Sequence, residues 1–247
     1  MKLGVFISLG PDIEPKMRQL AELGFETCML SCWNMSRLTD EYAELTRRAA
    51  ANTGVEISAV WAGWEGGPGI WDFIHGPSTL GMVPPAYREK RAEQFLLGAD
   101  FAAKIGVPDV ITHAGFMPEN PNDPDYVGMI GMLQYIAGIL KERGQYFLFE
   151  TGQETPVVLL RAIEDIGTGN IGINLDTANL ILYGKANPVD ALDVFGKYVR
   201  NTHMKDGLYP TDGRHLGREV PLGKGKVDFP ALIAKFRALG YDGPLTI

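Results

Sequence analysis

Residues 146–176 read YFLFETGQETPVVLLRAIEDIGTGNIGINLD and hold one complete strand, helix and strand. The run 146–150 is short, aromatic and apolar until its last residue, the carboxylate Glu150. An amphipathic stretch over 155–166 follows, and then a second apolar run, 171–176, which again ends on a carboxylate, Asp176. Short β-rich runs separated by longer amphipathic stretches imply parallel strands joined by crossover helices.

Outward from this unit the pattern repeats, with strands expected at 3–7, 26–30, 56–61, 109–113, 146–150, 171–176, 198–203 and 244–247. Helices are expected from Asp12, from Thr39 or Asp40, and over 86–105, 126–142, 155–166, 189–195 and 229–239. In the first, Asp12 can cap, Pro15 fits an early turn, and Met17, Leu20, Ala21 and Leu23 form the apolar stripe before Gly24 stops it. Ile105-Gly106, Arg143-Gly144 and Leu239-Gly240 are further helix stops placed just ahead of strands. Eight evenly spaced strands in 247 residues is the arithmetic of a closed (β/α)8 TIM barrel, a single domain over 1–247. The first strand-to-helix turn lacks G-x-G-x-x-G, and no P-loop pattern occurs, which removes the phosphate-cradling reasons for an open doubly wound sheet. The last helix of such a barrel is missing from the 247 residues; a barrel without it would leave apolar strand surface uncovered, so a longer native chain is expected.

Composition narrows the class. The chain is 45% apolar and 21% charged with 2 Cys, which excludes a disordered polymer and a disulfide scaffold. With 23 basic and 30 acidic residues the net charge is −7, which opposes affinity for nucleic acid. The first apolar run is too short for a signal peptide, and no long uncharged apolar stretch occurs, so no membrane partner is expected. Cys28 and Cys32 have no metal or disulfide spacing and read as reduced thiols of a cytoplasmic protein.

Chemistry is concentrated at strand ends. Glu150, Asp176 and His203 close the fifth, sixth and seventh runs at spacings of 26 and 27 residues, one strand-helix unit each. Neighbouring strands lie about 4.8 Å apart, so the three side chains can converge at the C-terminal face, where barrel enzymes work. Two carboxylates there would repel each other unless a cation lay between them. Oxygen ligands with one imidazole suit one divalent ion, Mn²⁺, Mg²⁺ or Co²⁺, with Zn²⁺ kept open. His113 ends the fourth run and stands beside Glu150 on the same rim; Lys205 is two residues past His203 and can bind a hydroxyl, carboxylate or phosphate. Asn179 and Gln153 follow the ligands closely and can bond substrate hydroxyls. Trp33, Trp61 and Trp64 crowd the early loops and suit the C–H face of a sugar, while Trp71 and Phe73 read as packing at the mouth or a subunit contact. Arg214 and Arg218, in the long loop after the seventh run, are candidates for an anionic group on the substrate, and His75 and His215 read as surface residues.

Thr112-His113-Ala114-Gly115, Leu148-Phe149-Glu150, Asn174-Leu175-Asp176-Thr177-Ala178-Asn179, His203-Met204-Lys205-Asp206 and residues 222–229 together resemble the xylose isomerase-like TIM-barrel family of sugar phosphate isomerases and epimerases. The likeness runs nearly the whole chain. That family also holds hydroxypyruvate isomerase, inosose dehydratase and 3-dehydroshikimate dehydratase. The resemblance implies that Glu150, Asp176 and His203 are three of four metal ligands, the fourth being a Glu at the end of the eighth strand, beyond Leu245-Thr246-Ile247. It further implies a ketose or sugar phosphate substrate, proton abstraction next to its carbonyl through a metal-stabilised enediolate, Glu150 as acid/base, and a homodimer or homotetramer. Asn179 stands where the tagatose-epimerase branch has a His. Three alternatives stay open: a dehydratase on the same metal site, with His113 or Lys205 as the acid; an endonuclease, which would want more than the 4 His present; and a catalytically silent barrel if the chain truly ends at Ile247.

Overall fold

Alternate residues of the strands sort into two separate apolar layers, and this decides where polar side chains can go. In the computed structural model, which describes residues 1–247, the barrel strands are β1 (Lys2–Ser8), β2 (Thr27–Cys32), β3 (Glu56–Ala62), β4 (Asp109–Thr112), β5 (Tyr146–Glu150), β6 (Ile171–Asp176), β7 (Val199–His203) and β10 (Pro244–Thr246). They close in the order β1-β10-β7-β6-β5-β4-β3-β2, with every neighbouring pair parallel. The main helices are α1 (Ile13–Glu22), α2 (Asp40–Thr53), α4 (Pro85–Lys104), α5 (Pro124–Glu142), α6 (Pro156–Ile166), α8 (Pro188–Phe195) and α9 (Phe229–Ala238). None is long and apolar enough to cross a membrane.

Leu30, Val60, Val110, Phe147, Phe149, Ile173 and Leu175 belong to the large outer core under the helices. Their strand neighbours Met29, Ala59, Trp61, Ile111 and Leu148 form a small inner cluster. Because side chains alternate with period two, the residues that continue this inner series are Glu150 on β5, Asn174 and Asp176 on β6, and Asn201 and His203 on β7. The barrel axis therefore changes from apolar to polar toward its C-terminal mouth.

At the opposite end the polar groups are paired. Arg200 donates from Nε to Asp109 Oδ1 at 3.0 Å, its Nη2 forms an ion pair with the same oxygen at 3.0 Å, and its guanidinium lies 3.6 Å from the Tyr146 ring centre. Gly172 makes room for this plug: a Cβ there would come within 2.6 Å of both Arg200 Cδ and Leu148 Cδ2.

Several local features depart from expectation. Asp12 does not cap α1 but pairs with Lys16 at 3.0 Å, whereas Thr39 Oγ1 does cap α2 by accepting from Tyr42 N at 3.3 Å. β4 stops at Thr112, so His113 lies just past the strand. The loop after β3 carries a short helix, α3 (Gly76–Thr79), and is stapled by buried Arg91, which donates to the carbonyls of Pro68, Thr79 and Gly81 at 3.1, 2.7 and 2.6 Å. One turn of helix, α7 (Asn179–Leu182), follows β6 directly. The loop after β7 is an antiparallel hairpin, β8 (Asp206–Leu208) and β9 (Arg218–Val220). The buried Asp206 carboxylate anchors it by accepting from the backbone N–H groups of Gly207, Gly225 and Val227 at 2.8, 2.7 and 3.1 Å. Gly225 is tied to this contact, since a Cβ there would fall 2.1 Å from Asp206 Oδ1.

Candidate functional site

Strand register brings three ionisable side chains together inside the mouth. Glu150 is level with Asn174, and Asp176 is level with His203. One ligand atom from each of Glu150, Asp176 and His203 lies within 4.8 Å of the others, and all three residues are buried. Glu150 Oε1 faces His203 Nδ1 at 2.9 Å, and Glu150 Oε2 accepts from Asn174 Nδ2. Asp176 Oδ1 accepts from the backbone N–H groups of Ala178 and Asn179 at 3.0 and 2.9 Å, which fixes the carboxylate against the start of α7. Its other oxygen, Oδ2, lies 3.8 Å from His203 Nδ1 and 3.0 Å from Lys205 Nζ and makes no hydrogen bond of good geometry.

The electrostatics of the group follow from burial and mutual contact. Burial raises Asp176 above the usual carboxylate range, with Lys205 opposing. Burial alone would raise Glu150 and lower His203, but their contact outweighs it, holding Glu150 low and His203 high. Asp176 holds Lys205 charged, well above the ordinary lysine value, against the cost of burial. A small, dry set of oxygen and imidazole donors, with one carboxylate oxygen lacking a hydrogen bond, fits a hard or borderline divalent cation.

Beside this cluster lies a group of buried polar atoms without hydrogen-bond partners. His113 is 6% exposed, its Nδ1 has no partner, and burial lowers its pKa to about 4, so the ring is neutral at physiological pH. Gln153 is buried with both amide atoms unpartnered, and it lies close enough to His113 and to Tyr183 to influence the proton affinity of each. The Tyr183 hydroxyl is also unpartnered, and Phe73 and Phe116 meet its ring edge-on at 6.2 and 5.6 Å between ring centres. All four tryptophans form one contiguous group: Trp33 stacks on Trp61 at 4.8 Å, Trp64 on Trp71 at 6.4 Å, and Trp61 and Trp71 both meet His113 edge-on. Trp33 and Trp71 keep 41% of their surface exposed, while Trp61 and Trp64 are buried behind them.

The structure thus brings together Glu150, Asp176, His203, His113, Gln153, Trp33 and Trp61. Lys205 joins them, but as the partner of Asp176, with Glu219 of β9 at 3.8 Å on its other side. Asn179 is engaged locally: its Nδ2 donates to Thr151 O at 3.2 Å. Arg214 is exposed at the hairpin tip, where it lines an open depression with Ile74, Asp212, Gly213 and His215 rather than the buried cluster. Four further residues escaped sequence reasoning. Asn174 was readable, being two residues before Asp176 and so on its face of the strand. Met29 and Tyr183 look like ordinary core residues. Glu154, fully buried and raised to about 7 by that burial, sits in a run with no visible periodic signal.

The sequence pattern of the xylose isomerase-like TIM barrel family matches residues 17–247. The chain belongs to that family. Among solved structures, a xylose isomerase domain protein from Planctomyces limnophilus is 34% identical, with all of this chain and 90% of that one covered and a TM-score of 0.92. A 3-keto-D-glucoside 4-epimerase from E. coli is 18% identical, covering 100% of this chain and 90% of that chain at a TM-score of 0.72. A probable 3-DHS dehydratase from Bacillus anthracis is 19% identical, covering 100% and 92% at the same TM-score of 0.72. At these last two identities the likeness is one of fold alone.

Proposed function

We propose that this xylose isomerase-like barrel is a divalent-metal-dependent isomerase or epimerase acting on a ketose or sugar phosphate. The observation that carries the reading is the convergence of Glu150, Asp176 and His203 within 4.8 Å at the barrel mouth. These three residues would hold the cation, Mn²⁺, Mg²⁺ or Co²⁺ by donor type, which supplies Lewis-acid stabilisation of negative charge on the substrate's carbonyl oxygen. Glu150 takes the proton from the carbon next to the carbonyl; Asn174 on its second oxygen keeps the carboxylate oriented for that transfer. His113, neutral and with a free Nδ1, and Gln153, with a free amide, bond substrate hydroxyls. Trp33 and Trp61, with Trp71 beside them, pack the apolar face of the ring and exclude water. Lys205 balances the charge of Asp176 and stands at the edge of the substrate space.

A second reading keeps the same cluster and expels a β-hydroxyl, making the protein a dehydratase. What favours it is the charged Lys205 ammonium 3.0 Å from Asp176, a proton donor already at the site. Elemental analysis of the purified protein, with deuterium uptake from D₂O into a panel of small ketoses, tests the proposal. Stoichiometric metal with exchange that EDTA abolishes is the expected result; loss of water from the substrate selects the dehydratase. No metal and no exchange on any substrate overturns both.

A further inference from the structure

His203 presents its two ring nitrogens to opposite chemical environments. Nδ1 faces the carboxylates, 2.9 Å from Glu150 Oε1 and 3.8 Å from Asp176 Oδ2. Nε2 points the other way, to Met29 Sδ at 2.9 Å. A thioether sulfur has lone pairs and no proton, so as a hydrogen bond this contact has Nε2–H donating and Sδ accepting. Met29 is itself immobilised. It is fully buried in the inner cluster with Ala59, Trp61, Ile111 and Leu148, and it is level with Phe6, whose ring meets His203 edge-on at 4.9 Å. Met29 Sδ is the one hydrogen-bond partner of Nε2, while Glu150 on Nδ1 and the Phe6 ring hold the rest of the imidazole.

We infer that Met29 is a positioning residue of the metal centre: its sulfur holds the Nε2–H of His203 and thereby assigns Nδ1 as the coordinating nitrogen. The inference rests on the metal-site reading above. It adds a specific property to the site. Histidine ligands are usually oriented by a carboxylate or carbonyl on the distal nitrogen, which also makes the ring a stronger donor. A thioether orients the ring while leaving the donor strength nearly unchanged, and it does so without adding charge to a barrel interior that already holds two carboxylates. Sulfur is also oxidisable. A sulfoxide at Met29 would place a larger, strongly accepting oxygen against the same ring.

The test uses the full chain with Met29→Leu and Met29→Gln. Leu keeps the volume and removes the acceptor; Gln keeps an acceptor at similar reach. Mn²⁺ affinity by calorimetry should weaken about tenfold in Met29→Leu and recover most of that loss in Met29→Gln. Nitrogen-15 spectra of histidine-labelled, Zn²⁺-loaded wild type should show His203 coordinated through Nδ1 with a protonated Nε2. Thermal unfolding of the metal-free variants checks that both fold. Equal Mn²⁺ affinity in Met29→Leu and wild type, or coordination through Nε2, overturns the inference. If wild type binds no metal at all, the metal-site reading fails by itself. The Met29 contact is then still decided in the metal-free protein, where Met29→Leu must move the His203 Nε2 resonance for the contact to stand.

Discussion

The two ends of this barrel are built from similar residue types and do opposite things with them. At the N-terminal end, Asp109 is buried and held by a hydrogen bond and ion pair to Arg200, which stacks on Tyr146; Lys2 pairs with Glu56, and the terminal amine with Asp242. At the C-terminal mouth, His113 Nδ1, both amide atoms of Gln153 and Tyr183 Oη lack hydrogen-bond partners, and Asp176 Oδ2 has only the ion pair with Lys205. An unpaired buried polar group costs about 1–3 kcal/mol, so such a collection persists only where something else is gained. The comparison teaches that one end of the fold pairs its polar groups for stability, while the other leaves them open, as the proposed ligand site requires.

The comparison can be broken most forcefully at Glu150. Glu150→Gln should lower substrate proton exchange by about 10²–10⁴-fold while the chain still folds, as read by D₂O exchange and circular dichroism. Exchange within threefold of wild type would remove Glu150 as the base. At the other end, Arg200→Met leaves the Asp109 carboxylate buried without its partner and should cost about 3 kcal/mol in urea unfolding, with metal uptake unchanged. Loss of metal uptake in that variant would show that the two ends are not independent.

Glu154 sharpens the contrast through pH. Its folded value of about 7 exceeds the ordinary 4.5, so between these values the folded chain holds a proton that the unfolded chain has released. Stability therefore falls as pH rises through that window and levels off above it. Glu154→Gln removes this slope, and the gap between variant and wild type should grow by about 2–3 kcal/mol from pH 4.5 to pH 8 in urea midpoints. A constant gap would mean that Glu154 is solvated. The smallest effect is expected at Gln153. Gln153→Leu removes two unpartnered amide atoms at nearly constant volume and should raise stability by about 1 kcal/mol, while calorimetry shows weaker substrate binding. Destabilisation would place Gln153 among the paired, structural groups instead.

The strands and main helices were legible because their signal is local. Apolar runs ending in Gly-stopped helices survive any tertiary context, and each of the expected strands and helices is present within a few residues of its place. Where expectation and structure differ, a partner outside the pattern intervened, one turn away for Asp12 and far along the chain for the loops. Asp12 looked like a cap until Lys16 took its carboxylate. The β8–β9 hairpin gave no period to read because each arm is 3 residues long and depends on Asp206 gathering N–H groups from as far as Val227. The Lys205–Asp176 ion pair gave no sequence signal, because it needs the loop after β7 to fold back over β6.

By itself the sequence determined the barrel, its polar mouth and the three strand-end residues, because a period of two residues per strand and one strand-helix unit per 26 or 27 residues places Glu150, Asp176 and His203 on one rim. Only the tertiary structure decided what surrounds them. That Nε2 of His203 meets Met29, that Asn174 holds Glu150, and that Gln153 and His113 are left without partners depend on distances across the barrel. Those distances are set by closure of the sheet and by the loops that fold over it. The residues concerned lie up to 174 positions apart in the chain, beyond the reach of any local pattern.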